Sequence, residues 1–189
     1  MKINAETIVL DNNPLLREKS QDVIFPLSNE DKKTLLSMLK YVRDSIDPEL
    51  AEKENLKPAV GIAAPQIGIL KKMTAISFEN ELEDGTIYKT EYALINPKII
   101  SHSVKSSYLK NGEGCLSVEE KHEGYVKRHY RIKVKAYDLL QEKEVIITSK
   151  DFEAIVLQHE IDHLFGILFY DHINKENPFK DIENAIVID

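Results

Sequence analysis

The sequence predicts an α+β fold in which antiparallel sheets surround a central metal-binding helix. Three observations carry this. Two segments, near 28–46 and 151–166, have helical periodicity; short alternating or β-branched runs lie between them; and Gln158-His159-Glu160-Ile161-Asp162-His163 falls inside the second helical segment. With 189 residues, 42% of them hydrophobic and none of them Trp, the chain is expected to form one domain over 1–189.

The elements follow in order. Asn12-Asn13-Pro14 opens a short turn or helix that carries Leu15 and Leu16. Ser28 to Ile46 reads as the first long helix, with Leu35, Leu36, Leu39, Val42 and Ile46 as its apolar stripe and Ser28 with Asp31 as a capping pair. Asp47 to Pro58 is charged and contains two prolines, so a loop with at most a short helix is expected. Met73 to Phe78 and Tyr92 to Ile100 are expected strands, able to pair as a hairpin across the polar stretch Glu79 to Glu91 with its Asp84-Gly85 turn signal. His129 to Asp138 alternates, with Ile132, Val134 and Ala136 on one face and Arg131, Lys133 and Lys135 on the other. Glu144 to Thr148 is the next strand. In the helix that follows, Phe152, Ile155, Val156 and His159 recur at helical spacing, with Asp151 as expected N-cap and Gly166 as stop.

Composition narrows the function. A net charge of −7 argues against a large nucleic-acid surface, so direct DNA or RNA binding is not expected, and Lys71-Lys72 reads as solvated surface. No apolar run approaches the roughly 20 residues needed to span a bilayer, and Met1 to Leu10 lacks the basic-then-apolar layout of a signal peptide. A soluble, unexported, cytoplasmic chain without a membrane partner is the expectation. The single cysteine excludes an internal disulfide, fits a reducing compartment and leaves Cys115 free for chemistry.

On a helix, residues four apart share a face, so His159 and His163 can ligate one ion while Glu160 projects beside it. Catalytic zinc-type sites use three protein ligands and leave a fourth position for water. A metzincin would need His at position 169, which is Phe169. A thermolysin-like site would take Glu183, twenty residues after His163, although Pro178 interrupts the intervening segment and only six residues follow Glu183. The third candidate is Cys115 in Glu113-Gly114-Cys115-Leu116-Ser117, where Gly114 permits close backbone approach beside a thiolate. A lone Cys is also commonly a small buried hydrophobe.

Three motifs in this order, Gly61-Ile62-Ala63-Ala64-Pro65-Gln66, Glu113-Gly114-Cys115-Leu116-Ser117 and Gln158-His159-Glu160-Ile161-Asp162-His163, closely resemble peptide deformylase. The resemblance covers most of the chain, from Leu16-Arg17 through Tyr170-Asp171-His172. Extra residues within 47–58 and 79–91, with the stretch 108–117, resemble the longer class found in Gram-positive bacteria. One departure is Ala59, where the family usually has Gly; a methyl group is tolerable there provided φ is negative.

The resemblance implies that Cys115, His159 and His163 ligate one divalent ion, generally Fe2+ in the cell, with Zn2+, Ni2+ or Co2+ possible as isolated. It makes Glu160 the proton acceptor and later donor, with the Gln66 amide and the Leu116 backbone N–H as oxyanion donors. Val60, Gly61 and Gly114 would pair with an extended substrate. Val156 would line the methionine pocket, whereas Phe152 and Ile155 also suit ordinary core packing. The implied partners are N-formylmethionyl nascent peptides, with transient ribosome contact. Some members dock through a basic C-terminal helix, but the tail 174–189 sets two Lys against Glu176, Asp181, Glu183 and Asp189, so strong binding of rRNA through it is not expected. Ile182, Ala185, Ile186 and Val187 are expected to pack on the domain or on a second subunit. His102, His122, His129 and His172 receive no role.

Overall fold

Ser28 opens the first helix as a true N-cap: its Oγ accepts the Asp31 N–H at 3.0 Å, and α1 spans Asn29–Ser45. In this computed structural model, which describes residues 1–81 and 84–189, the buried stripe of α1 is Leu35, Met38, Leu39 and Val42. Two expected members face water instead, Leu36 at 48% exposure and Ile46 at 45%. Leu36 lies about 100° around the helix from Leu35, and Ile46 is the cap residue where the helical turn has ended. The charged segment that follows does hold a short helix, α2 (Pro48–Glu54), with Asp47 Oδ1 accepting the Glu49 and Leu50 N–H groups.

The chain then forms β1 (Gly61–Ala63), β2 (Met73–Glu81), β3 (Ile87–His102), β4 (Ser106–Leu109), β5 (Arg128–His129), β6 (Arg131–Asp138) and β7 (Lys143–Lys150). Helix α3 (Asp151–His163) and the short strand β8 (Ile186–Ile188) complete it. The β2–β3 hairpin is longer than the sequence suggests, pairing from Met73 opposite Ile95 to Glu81 opposite Ile87. Its outer part is exposed on both faces, Ile87 and Tyr88 included, so no buried face imposes an alternation to read; Asn80 Nδ2 donating to Thr90 Oγ1 at 2.9 Å ties the two strands there. Leu82 and Glu83, within the expected connection, lie outside the described residues.

Strands order as β1-β2-β3-β6-β7 in one antiparallel sheet. Along β3 and β6 alternate residues point to opposite cores. Ala93 and Ile95 join Leu35, Met38 and Leu39 under α1, while Leu94, Ile132, Val134 and Ala136 meet Val156, Leu157 and Ile161 of α3. A second sheet orders as β5-β4-β8, and here the expectation of antiparallel pairing fails, because β8 runs parallel to β4. The chain between the end of β4 and the start of β8, which includes β5, β6, β7 and α3, is ample for the crossover that parallel pairing needs. Ile186 and Val187 of the tail thus pair with this chain's own sheet edge, at Ser107 and Tyr108.

β7 passes into α3 without a loop. Asp151 is the first helical residue, not the N-cap, and sits in the left-handed region at φ 56 with its N–H donated to the Tyr130 carbonyl at 3.1 Å. Gln158 ties the helix to β5 by accepting the His129 N–H and donating to the His129 carbonyl, both at 2.9 Å. Beyond the helix, Gly166 at φ 73 abuts the Arg17 backbone, which a Cβ would strike. Arg17 in turn reaches Asp171 with both nitrogens (2.5 and 3.2 Å) and the Tyr170 hydroxyl at 3.0 Å, so a segment preceding α1 fastens the chain after α3.

Candidate metal centre

Three side chains from two distant parts of the chain converge beside α3. One possible ligand atom from each of Cys115, His159 and His163 lies within 4.8 Å of the others, with Cys115 Sγ 3.3 Å from His163 Nε2. His159 and His163 meet because they are one helical turn apart on α3; Cys115 arrives on the loop between β4 and β5, held by Val118 N–H to the Cys115 carbonyl and Asp11 N–H to the Ser117 carbonyl. His159 Nδ1 is engaged by Glu113 Oε2 at 2.8 Å, which leaves its Nε2 for the cluster. Burial alone raises the Glu113 carboxyl, but Arg128 and His159 outweigh it and hold it at about 2.

The ion network continues outward. Arg128, only 4% exposed, grips both oxygens of Glu113 (2.8 and 2.9 Å) and donates to Asp162 at 2.5 Å, while His172 Nε2 contacts the same Asp162 oxygen at 2.8 Å. Glu113 lies two residues from Cys115 and Asp162 lies next to His163, so one guanidinium clamps both ligand-bearing segments. Sequence reasoning gave no role to Arg128, Asp162 or His172. Asp162 and Glu113 stood inside the motifs, but the Arg that joins them is contributed by β5, and no local pattern points to it.

Glu160 is 5% exposed beside the cluster, and burial first, with Glu113 adding, raises its carboxyl to about 7 against the pull of His159 and Arg128. Gly61 makes its position possible: a Cβ there would stand 2.5 Å from Glu160 Oε1. Gln66 serves two ends. Its Oε1 accepts the Ala63 N–H at 2.8 Å, which fastens the Ala64–Ile67 turn and fixes the amide orientation, and its Nε2 then lies 3.2 Å from Ser117 Oγ and 3.5 Å from Cys115 Sγ. Ala59 is not among the described residues with positive φ, and its N–H donates to Ser45 Oγ at 3.1 Å, so the methyl there imposes no left-handed strain.

A cavity of about 510 Å³ opens over this cluster and is bounded by Val60, Gly61, Gly114, Leu116, Val156 and Glu160 among others. Phe152 and Ile155, which also suited ordinary core packing, line it as well; Phe152 meets Phe78 edge to face at 5.3 Å. Gly114 departs from expectation, since a Cβ there would meet nothing within 4 Å and no close approach inside the protein requires glycine. Glu183 is not brought to the cluster: it borders a separate hollow with Lys105 and Lys127 near β8. Among the described residues, Cys115, His159 and His163 are the group that can hold a metal ion. The donors fit one. A sulfur and two imidazole nitrogens converge, and Glu160 Oε2 is buried beside them without a hydrogen-bond partner among the described residues.

Residues 5–179 match the family model described as polypeptide deformylase. The chain is 53% identical over 187 residues to peptide deformylase 2 of Bacillus subtilis, covering 99% of each chain. It is 48% identical over 188 residues to the peptide deformylase of Ligilactobacillus salivarius, covering 99% of this chain and all of that one. Among solved structures, the Ehrlichia chaffeensis peptide deformylase superposes with a TM-score of 0.70 at 30% identity, covering 91% of this chain and 89% of that one. The Met-Ala-Ser-bound class I type b enzyme of Acinetobacter baumannii gives a TM-score of 0.69 at 28% identity, covering 92% of this chain and 100% of that one. The chain therefore belongs to the polypeptide deformylase family, metalloenzymes that remove the N-formyl group from nascent peptides.

Proposed function

We propose that residues 1–189 form one catalytic domain with the His-Glu-x-x-His helix at its centre, and that its cleft hydrolyses the formyl amide of N-formylmethionyl chains, releasing formate and a free amino terminus. The observation that carries this reading is the placement of the buried Glu160 carboxylate, in space left by Gly61, against the Cys115, His159 and His163 cluster.

In this reading Cys115, His159 and His163 hold a single divalent ion, Fe2+ in the cell, through a donor set that also accepts Zn2+, Ni2+ or Co2+. Such an ion, when bound, supplies Lewis acidity and lowers the pKa of its water from about 15.7 towards 7. Glu160 takes up the proton of the attacking water and delivers it to the leaving nitrogen, and its burial, which disfavours the bare carboxylate, helps it hold that proton between the two transfers. The Gln66 Nε2–H and the Leu116 backbone N–H donate to the carbonyl oxygen as it becomes anionic. Backbone at Val60, Gly61 and Gly114 pairs with the extended peptide, and Val156, with Phe152 and Ile155, receives the methionine side chain. The Met-Ala-Ser tripeptide carried by the Acinetobacter relative supports a site built for chains that begin with methionine.

Among the described residues no helix is long and apolar enough to cross a membrane. We place the enzyme in the cytoplasm, acting on nascent chains in transient contact with the ribosome and without DNA or membrane partners. The test is formate release from a short N-formyl-Met peptide by anaerobically prepared, ferrous-loaded protein, compared with Glu160→Gln. Rapid release by the parent with near-absence in the variant is expected. No release from metal-loaded parent overturns the reading.

A further inference from the structure

Helix α1 lies mainly over β1, β2 and β3, with Tyr137 of β6 packed into the same core. On the same side, the remainder of the sheet is bare, and its outward residues are strongly basic. Tyr137 lies opposite Ile95 and packs under α1; two residues further along β6, Lys135 lies opposite Lys98 and is exposed. Lys133 and Arg131 continue the row, and their β7 neighbours are Thr148 and Lys150. Five cations, Lys98, Arg131, Lys133, Lys135 and Lys150, therefore share one face, spaced about 4.8 Å across strands and roughly 7 Å along them.

Lys135 pairs with Glu144 at 3.4 Å and Lys150 with Asp151 at 3.7 Å. Among the described residues, Lys98, Arg131 and Lys133 have no carboxylate within ion-pair distance. This cationic face belongs to a chain whose 25 basic residues are outnumbered by 32 acidic ones, so positive charge is segregated here against the overall sign. Ile146, 62% exposed, sits in the same array beside Lys135. Lysines also guard edge strands against pairing, and β7 is an edge, but that purpose does not call for Lys98 and Lys133 on strands with neighbours on both sides.

We propose that this β3–β6–β7 face is a docking surface for the phosphate backbone of structured RNA, specifically ribosomal RNA. The proposal rests on nascent chains being the substrate, since those are attached to a particle rich in exposed RNA phosphate. Geometry allows both engagements at once: Ile132, Val134 and Ala136 point from β6 towards α3 and its cleft, whereas Arg131, Lys133 and Lys135 point away. RNA on one face leaves the peptide site open on the other.

The test measures anisotropy of a fluorescein-labelled RNA hairpin and co-sedimentation with vacant ribosomes, for metal-loaded parent and for the combined variant Lys98→Gln, Arg131→Gln, Lys133→Gln. If those three cations each neutralise one phosphate, their contribution to hairpin affinity falls roughly 20- to 40-fold between 50 and 200 mM salt, and the variant loses about 2 to 3 from the log–log salt slope. Turnover of a short formyl peptide, measured on the same preparations, stays at the parent level in the variant. Parent protein that binds neither hairpin nor ribosome, or a variant that binds both as tightly as parent, overturns the proposal. Displacement of the hairpin by polyglutamate at equal charge concentration overturns the RNA assignment in favour of an acidic protein. Failure of parent turnover with RNA binding intact would fault the proposed reaction and not this surface.

Discussion

Replacing Gly61 with Ala tests whether glycine is present to seat the Glu160 carboxylate. The new Cβ would lie 2.5 Å from Oε1, 2.8 Å from Cδ and 2.9 Å from Cγ of Glu160. Carbon and oxygen atoms in ordinary contact stand about 3.5 Å or more apart, so the carboxylate must retreat by about 1 Å. The obstructing atoms belong to the end of a side chain, not to backbone, and the fold can absorb the methyl at a cost of about 1–3 kcal/mol. Catalysis cannot absorb it as easily. A displacement of about 1 Å in a reacting group costs on the order of 100-fold, or about 2.7 kcal/mol of barrier. The three atoms nearest that Cβ all belong to Glu160 and none to the metal cluster, so metal content should remain at the parent level. The assay is kcat for formate release, with metal per chain measured on the same sample. Parent-like kcat in Gly61→Ala would refute the seating argument, and loss of the ion along with activity would show that Gly61 supports the ligands instead.

The other predictions concern the cluster and the fold's acid tolerance. Arg128→Lys keeps a charge but loses the two-pronged hold on Glu113, and should speed metal loss to a chelator by about 10- to 100-fold; unchanged retention would remove Arg128 from the support of the site. Cys115→Ala should abolish metal retention while Glu183→Ala leaves it intact, and the reverse result would restore the thermolysin-like ligand set. Glu91 accepts from Arg43 at 2.7 Å through both oxygens, a pairing that outweighs burial and, with Lys89 and Ser77, holds its carboxyl at about 2 against an ordinary 4.5. Because the folded value is depressed, its contribution is complete above pH 4.5 and disappears as pH falls towards 2. Urea unfolding should find Glu91→Gln about 1–2 kcal/mol less stable at pH 6, a figure reduced for solvent screening because Arg43 is 43% exposed. By pH 2 the difference should nearly vanish, and a pH-independent deficit would count against the ion pair.

What the sequence made legible was what a local pattern can encode. His159 and His163 are one helical turn apart, and helical spacing alone puts them on one face with Glu160 beside them. Cys115 lies more than forty residues earlier, and selecting it over Glu183 required the ordered set of motifs. Leu36 misled because an apolar residue in a helix does not declare its azimuth, and Met38 holds the buried place instead. The outer β2–β3 hairpin was read as a connection because both its faces are wet. Asp151 was misplaced by one residue because β7 feeds straight into α3 and leaves no room for a separate cap. Arg128 and His172 were missed because their roles exist only after β5, α3 and the chain beyond α3 have met.

The fastening of Arg17 to Asp171 spans 154 positions of sequence, and Gly166 closes on the Arg17 backbone in the same place. Contacts of such long separation are slow to form, because the loop-closure entropy must be overcome before they contribute any stabilisation. His172, whose neighbour Asp171 is held there, contacts the Asp162 that shares Arg128 with Glu113. Ligand geometry is thus coupled to a contact between distant ends of the chain. If that brace closes after α3 has formed, metal uptake on refolding should lag behind the recovery of helical signal, and uptake in step with that signal would show that the ligands are held without it.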